Sequence, residues 1–236
     1  MTAPDAPASL PPVVLVHGWG GSFATTWERS GFTALLADAG REVIGVDLLG
    51  HGTAPKPHDV EAYADLTIRV VDALPAGPVD AVGFSLGAMT LLQLATREPH
   101  RFRKLVLAGI GRNVFEHDPE AVKRIVEAIE GGGEVADNRA RLFAQYASDP
   151  SNDPLALAAI LRRPPGPPPT EAELAAITCP VLVAVGDDDF VQPADRLAAA
   201  LPNAIYRELR RTDHFATPES FAFVDAALEF IDAVPV

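Results

Sequence analysis

Residues 79–87 read VDAVGFSLG, an apolar run that ends in the pentapeptide GFSLG at 83–87. The run predicts a buried strand, and a helix-like segment at 86–97 follows it directly. A G-x-S-x-G pattern between a strand and a helix is typical of a sharp turn that lifts its serine, here Ser85, above the sheet in a strained backbone conformation. A glycine-rich turn with a capping serine remains the alternative for the pentapeptide taken alone.

The same succession of strand and helix recurs on both sides of this stretch. The predicted strands are 13–16, 42–48, 79–84, 104–110, 181–185 and 204–209, and the predicted helices are 23–39, 60–74, 86–97, 193–201 and 218–233. Because the strand runs are nearly continuously apolar, they are expected to be buried on both faces. The alternation predicts an α/β fold, a three-layer sandwich around a mostly parallel sheet of about six strands.

One region interrupts the alternation, because it contains no predicted strand. Helices are predicted there at 119–130, 137–147 and 154–161, followed by the proline-dense segment RRPPGPPPT at 162–170. We therefore expect a core of residues 1–111 and 171–236 with a small helical cap, residues 112–170, called here the insertion. Open α/β sheets bind ligands at the carboxyl ends of their strands, so the insertion is a candidate lid. A structural appendage without a role in binding is the alternative.

A second glycine-rich turn, HGWGGS at 17–22, follows the first predicted strand. Acyl transfer builds negative charge on a carbonyl oxygen, and each aimed backbone N–H group that receives it is worth roughly 10²–10³ in rate. We predict the amides of Trp19 and Leu86 as this oxyanion hole. A phosphate cradle is the alternative, although the loop lacks the Lys-Ser/Thr ending of a P-loop. His17 is expected to brace the loop and not to act as a base.

A serine nucleophile needs a base, and a histidine base needs a carboxylate to orient it. His214 is the histidine, of six in the chain, that lies in a loop after the last predicted strand. The sequence GDDDFVQP at 186–193 follows a buried strand, and we predict Asp189 as the acid, with Asp187 as the runner-up. A divalent metal site would need more oxygen ligands than this cluster supplies, so no metal and no cofactor are predicted.

Taken together, these motifs resemble the α/β-hydrolase family over nearly the whole chain. The matching elements are HGWGG at 17–21, DLLGHG at 47–52, GFSLG at 83–87, and GDDD at 186–189 with DH at 213–214. The resemblance implies a Ser-Asp-His triad, and the family's G-x-x-D spacing selects Asp189. Two features depart from the family: the amino-terminal antiparallel strands are missing or very short, and Ala88 stands where many relatives have a second glycine.

The predicted function is a serine hydrolase that cleaves carboxylic esters of small or medium acyl groups through an acyl-enzyme. Trp19, Phe84 and Phe215 are the predicted substrate-binding residues, and a small-molecule ester is the expected partner. A thioesterase, lactonase, acyltransferase or perhydrolase would use the same triad. A non-catalytic ligand-binding receptor on the same fold is the hypothesis from a different class.

The charge composition limits the classes of binding partner that we expect. The formal net charge is -13 and the sequence pI about 4.8, which argues against binding to nucleic acid and to anionic membranes. Residues 1–12 carry no Lys or Arg, so no signal peptide is expected. The single cysteine, Cys179, forms no internal disulfide. We expect a cytoplasmic protein and leave its oligomeric state open.

Overall fold

The computed structural model describes residues 10–131 and 137–235 of the chain, so residues 1–9 of the predicted core and 132–136 of the insertion lie outside the described residues. The strands are β1 (Val13–Val16), β2 (Val43–Val46), β3 (Val79–Phe84), β4 (Phe102–Ala108), β5 (Val181–Gly186) and β6 (Ala204–Leu209). They form one sheet in the order β2-β1-β3-β4-β5-β6, and every pairing is parallel. The predicted α/β fold class is therefore confirmed.

Apolar side chains cover both faces of this sheet. Successive residues of a strand point to opposite faces, and in β1 Val14 and Val16 belong to one apolar cluster while Val13 and Leu15 belong to another. All four side chains are fully buried. The edge strands β2 and β6 depart from the expectation of burial on both faces, because each has a neighbour on one side only. Gly45 of β2 is exposed, and Ile205 of β6 is 54% exposed.

Nine α-helices surround the sheet in the described part of the chain. They are α1 (Phe32–Asp38), α2 (Ile68–Ala73), α3 (Leu86–Arg97), α4 (Pro119–Ile129), α5 (Asn138–Ala147), α6 (Pro154–Arg162), α7 (Glu171–Ala175), α8 (Asp195–Ala200) and α9 (Phe221–Phe230). Helices α4, α5 and α6 fall between β4 and β5, where the insertion was predicted. No helix in residues 10–131 and 137–235 is long and apolar enough to span a membrane.

Three segments predicted as single helices are broken in the structure. The segment 218–233 is a 3₁₀ turn at Thr217–Glu219, an extended Ser220 and then α9. The segment 23–39 is a π-helical turn at Ala24–Glu28 followed by α1, and the chain changes direction at Gly31, whose φ is 81°. The segment 60–74 is a short 3₁₀ turn followed by α2. There the Asp65 side chain accepts hydrogen bonds from the Thr67 N–H group at 2.8 Å and from its hydroxyl at 2.6 Å, a local arrangement that competes with a continuous helix.

Helix α7 is an addition to the prediction. It starts directly after the proline-dense segment, where the Thr170 hydroxyl accepts from the Glu173 N–H group at 3.2 Å and the Glu173 carboxylate accepts from the Thr170 N–H group at 2.7 Å. This reciprocal capping box satisfies two N–H groups at the start of a very short helix.

A buried ion cluster joins the amino ends of the central strands. The Asp80 carboxylate in β3 is fully buried, and it accepts from the Arg103 Nε–H group at 2.8 Å and from the guanidinium of buried Arg41. Both arginines also donate to the Ile231 carbonyl oxygen after α9. Arg103 further pairs with the half-exposed Asp232 at 2.9 Å. One carboxylate thus holds together segments that are far apart in sequence.

We predict that Asp80→Asn lowers the free energy of unfolding by about 3–5 kcal/mol, because it leaves the buried Arg41 guanidinium without a counter-charge. The matched control is Asp232→Asn, which removes a solvent-screened partner of the same cluster and should cost at most about 1 kcal/mol. Urea unfolding of both variants measures the difference. Equal decreases in the free energy of unfolding would show that the burial of Asp80 does not make it more important to stability than Asp232.

Candidate active site

Ser85 lies at the turn between β3 and α3, and its backbone is strained. Its φ of 49° and ψ of -110° lie outside the regions that non-glycine residues favour. The Ser85 N–H group donates to the Ala108 carbonyl oxygen of β4 at 2.8 Å, which fixes the turn against the sheet. The turn also requires glycine at position 87, since a Cβ there would lie 2.3 Å from the Val16 carbonyl oxygen.

Ser85, His214 and Asp189 form a continuous chain of hydrogen bonds. The Ser85 Oγ atom lies 2.9 Å from His214 Nε2, and His214 Nδ1 lies 2.9 Å and 3.0 Å from the two carboxylate oxygens of Asp189. An ionised carboxylate only accepts, so Nδ1–H donates to Asp189 and Nε2 is free to accept the serine proton. His214 and Asp189 are each 4% exposed, so water does not compete strongly for these contacts.

Asp187, the runner-up for the acid, lies elsewhere. It is exposed and accepts from the Thr212 N–H group at 3.2 Å. The backbone amides of Arg211 and Thr212 hold the pKa of the Asp187 carboxyl below its usual range. Asp187 therefore braces the loop that carries His214 and does not touch the imidazole in this structure.

The two other buried histidines near the site are structural. His17 Nδ1–H donates to the Gly18 carbonyl oxygen at 2.7 Å, and its Nε2 accepts from the Leu48 N–H group at 3.1 Å. The His51 ring lies 4.9 Å from the His17 ring, centroid to centroid. Burial lowers the pKa of His17 and lowers the pKa of His51 to about 3. Burial therefore disfavours the charged form of both imidazoles. The hydrogen bonds of His17 tie the glycine-rich loop to the segment after β2.

A cavity of about 830 Å³ opens beside Ser85. Trp19 and Leu86, the predicted oxyanion residues, line this cavity together with Ser85 and His214. The insertion forms much of the remaining wall, and its apolar contribution includes Val114, Ala121, Val122, Ile125, Phe143, Ile160 and Leu161. The site thus combines a candidate nucleophile, a candidate base and two candidate amide donors with space for a small molecule.

Of the three predicted substrate-binding residues, only one lines the described cavity. Trp19 lines the cavity, whereas Phe84 and Phe215 are absent from its described lining. The Phe84 ring is 9% exposed and packs beneath His214, with 5.1 Å between ring centroids. The Phe215 ring stacks on Tyr146 of α5 at 5.0 Å. Contact of Phe84 and Phe215 with substrate remains a prediction without support from this cavity.

Two aromatic residues that the sequence analysis did not select border the site. The Phe190 ring lies 4.3 Å from the His214 ring, and the Phe143 ring of α5 lies 5.0 Å from the Trp19 ring. The position of Phe190 directly after Asp189 was the available signal. For Phe143 the sequence offered none beyond its place in an apolar helix face.

Hydrogen bonds join the insertion to the glycine-rich loop. The Trp19 indole Nε1–H donates to the Leu157 carbonyl oxygen of α6 at 3.1 Å. The Asn152 side-chain amide donates to the Gly20 carbonyl oxygen at 2.8 Å and to the Tyr146 carbonyl oxygen at 3.0 Å. The loop that carries the Trp19 amide is therefore held in place by the insertion.

Residues 10–131 and 137–235 contain no group of three or more His, Cys, Asp or Glu side chains placed to bind a metal ion.

Comparison with known proteins identifies related chains. A family model described as the alpha/beta hydrolase family matches residues 13–233. A pimeloyl-[acyl-carrier protein] methyl ester esterase of Neisseria meningitidis is 38% identical over 122 residues, which cover 49% of this chain and 36% of that protein. A 2-hydroxy-6-oxo-2,4-heptadienoate hydrolase of Pseudomonas putida is 39% identical over 109 residues, 44% of this chain and 39% of that protein. Both matches therefore span less than half of the relative's length.

Solved structures share the fold over the whole chain. The enol-lactonase of Burkholderia xenovorans superposes with a TM-score of 0.71, covering 95% of this chain and 92% of that one, at 24% identity. At this level of identity the likeness bears on the fold alone.

We predict that Asp189→Asn slows the reaction of Ser85 with a fluorophosphonate by a factor on the order of 10⁴, because the amide would leave the histidine in the wrong tautomer. Asp187→Asn is the matched control and should change the rate less than tenfold, since Asp187 contacts the loop and not the imidazole. The rates are measured by quenching the labelling reaction at successive times for the two variants and the wild type. A larger loss in Asp187→Asn would reassign the acid.

Proposed function

This chain belongs to the alpha/beta hydrolase family, and we propose on that premise that it is a serine hydrolase of carboxylic esters with small or medium acyl groups. The observation that carries the proposal is the unbroken hydrogen-bonded chain from Ser85 through His214 to Asp189 at the wall of a large cavity. A strained serine beside a buried, correctly oriented imidazole is the arrangement that nucleophilic catalysis needs.

The geometry supports a two-step mechanism. Ser85 Oγ attacks the ester carbonyl carbon while His214 Nε2 takes the hydroxyl proton, and Asp189 stabilises the imidazolium that results. The amides of Trp19 and Leu86 receive the oxyanion of the tetrahedral intermediate. His214 then gives its proton to the leaving alcohol, and the acyl group stays on Ser85. Water attacks the acyl-enzyme with His214 again as the base, which releases the carboxylic acid and restores the serine.

The relatives support an ester bond as the target. One of them, 38% identical over 49% of this chain, is named for its action on a methyl ester, which is a carboxylic ester of the class proposed here. We further propose that residues 112–170 act as a cap on a core of residues 1–111 and 171–236, supported by the bonds from Trp19 and Asn152. A cytoplasmic location and a small-molecule ester as partner complete the proposal.

The test combines active-site labelling with turnover. A fluorophosphonate probe should modify Ser85, located by mass mapping of the labelled peptide, and the protein should hydrolyse p-nitrophenyl esters with an optimum at short or medium chain length. Ser85→Ala and His214→Ala should each lower kcat by a factor on the order of 10⁶, because the triad acts as a unit. Ser148→Ala, which removes an exposed hydroxyl in the insertion, should leave turnover unchanged. Labelling at another serine would remove Ser85 from the mechanism.

A further inference from the structure

The cavity beside Ser85 carries positive charge although the chain is strongly acidic. Arg112, Arg139 and Arg163, all in the insertion, line its wall in a protein with a formal net charge of -13. A fourth lining arginine, Arg97, pairs with Asp65 at 2.8 Å. The overall charge of the chain therefore says little about the charge that a bound ligand meets.

Arg163 is a half-buried cation without an internal counter-charge. Its Nη1 donates to the Ile160 carbonyl oxygen at 2.8 Å, and it forms no ion pair with any carboxylate in the described part of the chain. Burial lowers the pKa of the Arg163 guanidinium, and nearby charge does nothing to reverse the effect. Keeping such a group away from water is costly unless an anion joins it.

Arg112 and Arg139 both contact Phe190, the residue whose ring packs against His214. Arg112 Nη2 donates to the Phe190 carbonyl oxygen at 3.1 Å, and the Arg139 guanidinium lies 5.2 Å from the Phe190 ring centroid. The Phe190 ring in turn lies 4.3 Å from the His214 ring. The Phe190 ring thus contacts both Arg139 and His214, and its backbone binds Arg112, so that both cations border the cavity that contains Ser85.

The acidic side chains of the cavity are already occupied or exposed. Asp118 accepts from the Ala121 N–H group at 2.9 Å as the cap of α4, and it lies 4.0 Å from Arg139. Glu173 serves the capping box of α7, and Glu116 is exposed to solvent. These carboxylates leave most of the guanidinium N–H groups in the cavity available to a ligand.

We propose that Arg112, Arg139 and Arg163 form an anion subsite, so that the preferred substrates are esters whose acyl chain ends in a carboxylate. A guanidinium binds a carboxylate through two parallel hydrogen bonds, and the apolar side chains that line the same cavity suit the methylene chain that joins the two ends. The inference rests on the proposed function, since it specifies the acyl group of the ester that the proposed hydrolase would cleave. Hydrolysis would release an alcohol and a dicarboxylate, with the distal carboxylate unchanged.

The test compares two esters of equal length, mono-p-nitrophenyl adipate and p-nitrophenyl hexanoate. Wild-type protein should hydrolyse the adipate half-ester with a kcat/KM about tenfold higher, the gain expected from one charge-assisted contact. Hydrolysis of the hexanoate ester with no preference for the half-ester would overturn the subsite and leave the hydrolase function standing.

Variants separate binding of the anion from a structural role. Arg163→Gln and Arg112→Gln should each raise KM for the half-ester about tenfold and leave kcat/KM for the hexanoate ester within about twofold. Arg207→Gln removes the same charge from the exposed face of β6 and should leave both esters unchanged. Equal losses on both esters in the cavity variants would show that these arginines support the fold and would overturn the subsite.

A binding measurement keeps the subsite testable without turnover. Calorimetry with Ser85→Ala should show binding of monomethyl adipate, weaker binding of methyl hexanoate, and loss of the difference in Ser85→Ala/Arg163→Gln. This result supports the anion subsite even when neither p-nitrophenyl ester is hydrolysed, in which case the proposed function alone fails. Equal affinity for the two methyl esters in Ser85→Ala overturns the subsite.

Discussion

The close approach of α3 to the end of β1 is the constraint on which the site depends. Only a residue without a Cβ fits at position 87, because the Val16 carbonyl oxygen occupies that space. The first turn of α3 therefore lies directly against the point where β1 enters its glycine-rich loop. Two residues from distant parts of the chain, Trp19 and Leu86, thereby border one cavity with Ser85, and the strained serine backbone is held where a relaxed turn would not place it.

The sheet could be predicted well from the sequence, because a parallel strand that is buried on both faces is a nearly continuous run of apolar residues. Each apolar run is a strand whose ends differ by two residues or fewer from the prediction. The helix breaks escaped prediction because they depend on single local features, the left-handed turn at Gly31 and the hydrogen bonds of Asp65. Likewise, Ser85, Asp189 and His214 stand in short motifs that follow strand ends, and those ends converge at one edge of the sheet.

The part of the cavity lining that comes from the insertion was much less predictable than the positions of Ser85, Asp189 and His214. Most of that wall belongs to the insertion, and which face of a helix turns toward Ser85 depends on packing between α4, α5 and α6 and not on a motif. Arg163 illustrates the difficulty, because it stands in a proline-dense segment without a recognisable motif, and its importance follows only from the cavity it borders. Phe84 shows the converse, because it adjoins Ser85 in sequence, yet its ring packs against His214 and does not line the cavity.

The bonds between the insertion and the glycine-rich loop have a kinetic consequence. The contacts of Trp19 with Leu157 and of Asn152 with Gly20 tie the backbone of the glycine-rich loop to the insertion. The amide of Trp19 in that loop is the oxyanion donor that we propose. A movement of the insertion that breaks these contacts would release that backbone, so that under the proposed mechanism an open form would admit ligand and the closed form would stabilise the transition state. Reclosure would then be a step in each catalytic cycle, and its equilibrium would contribute to selectivity between ligands that favour the closed form to different degrees.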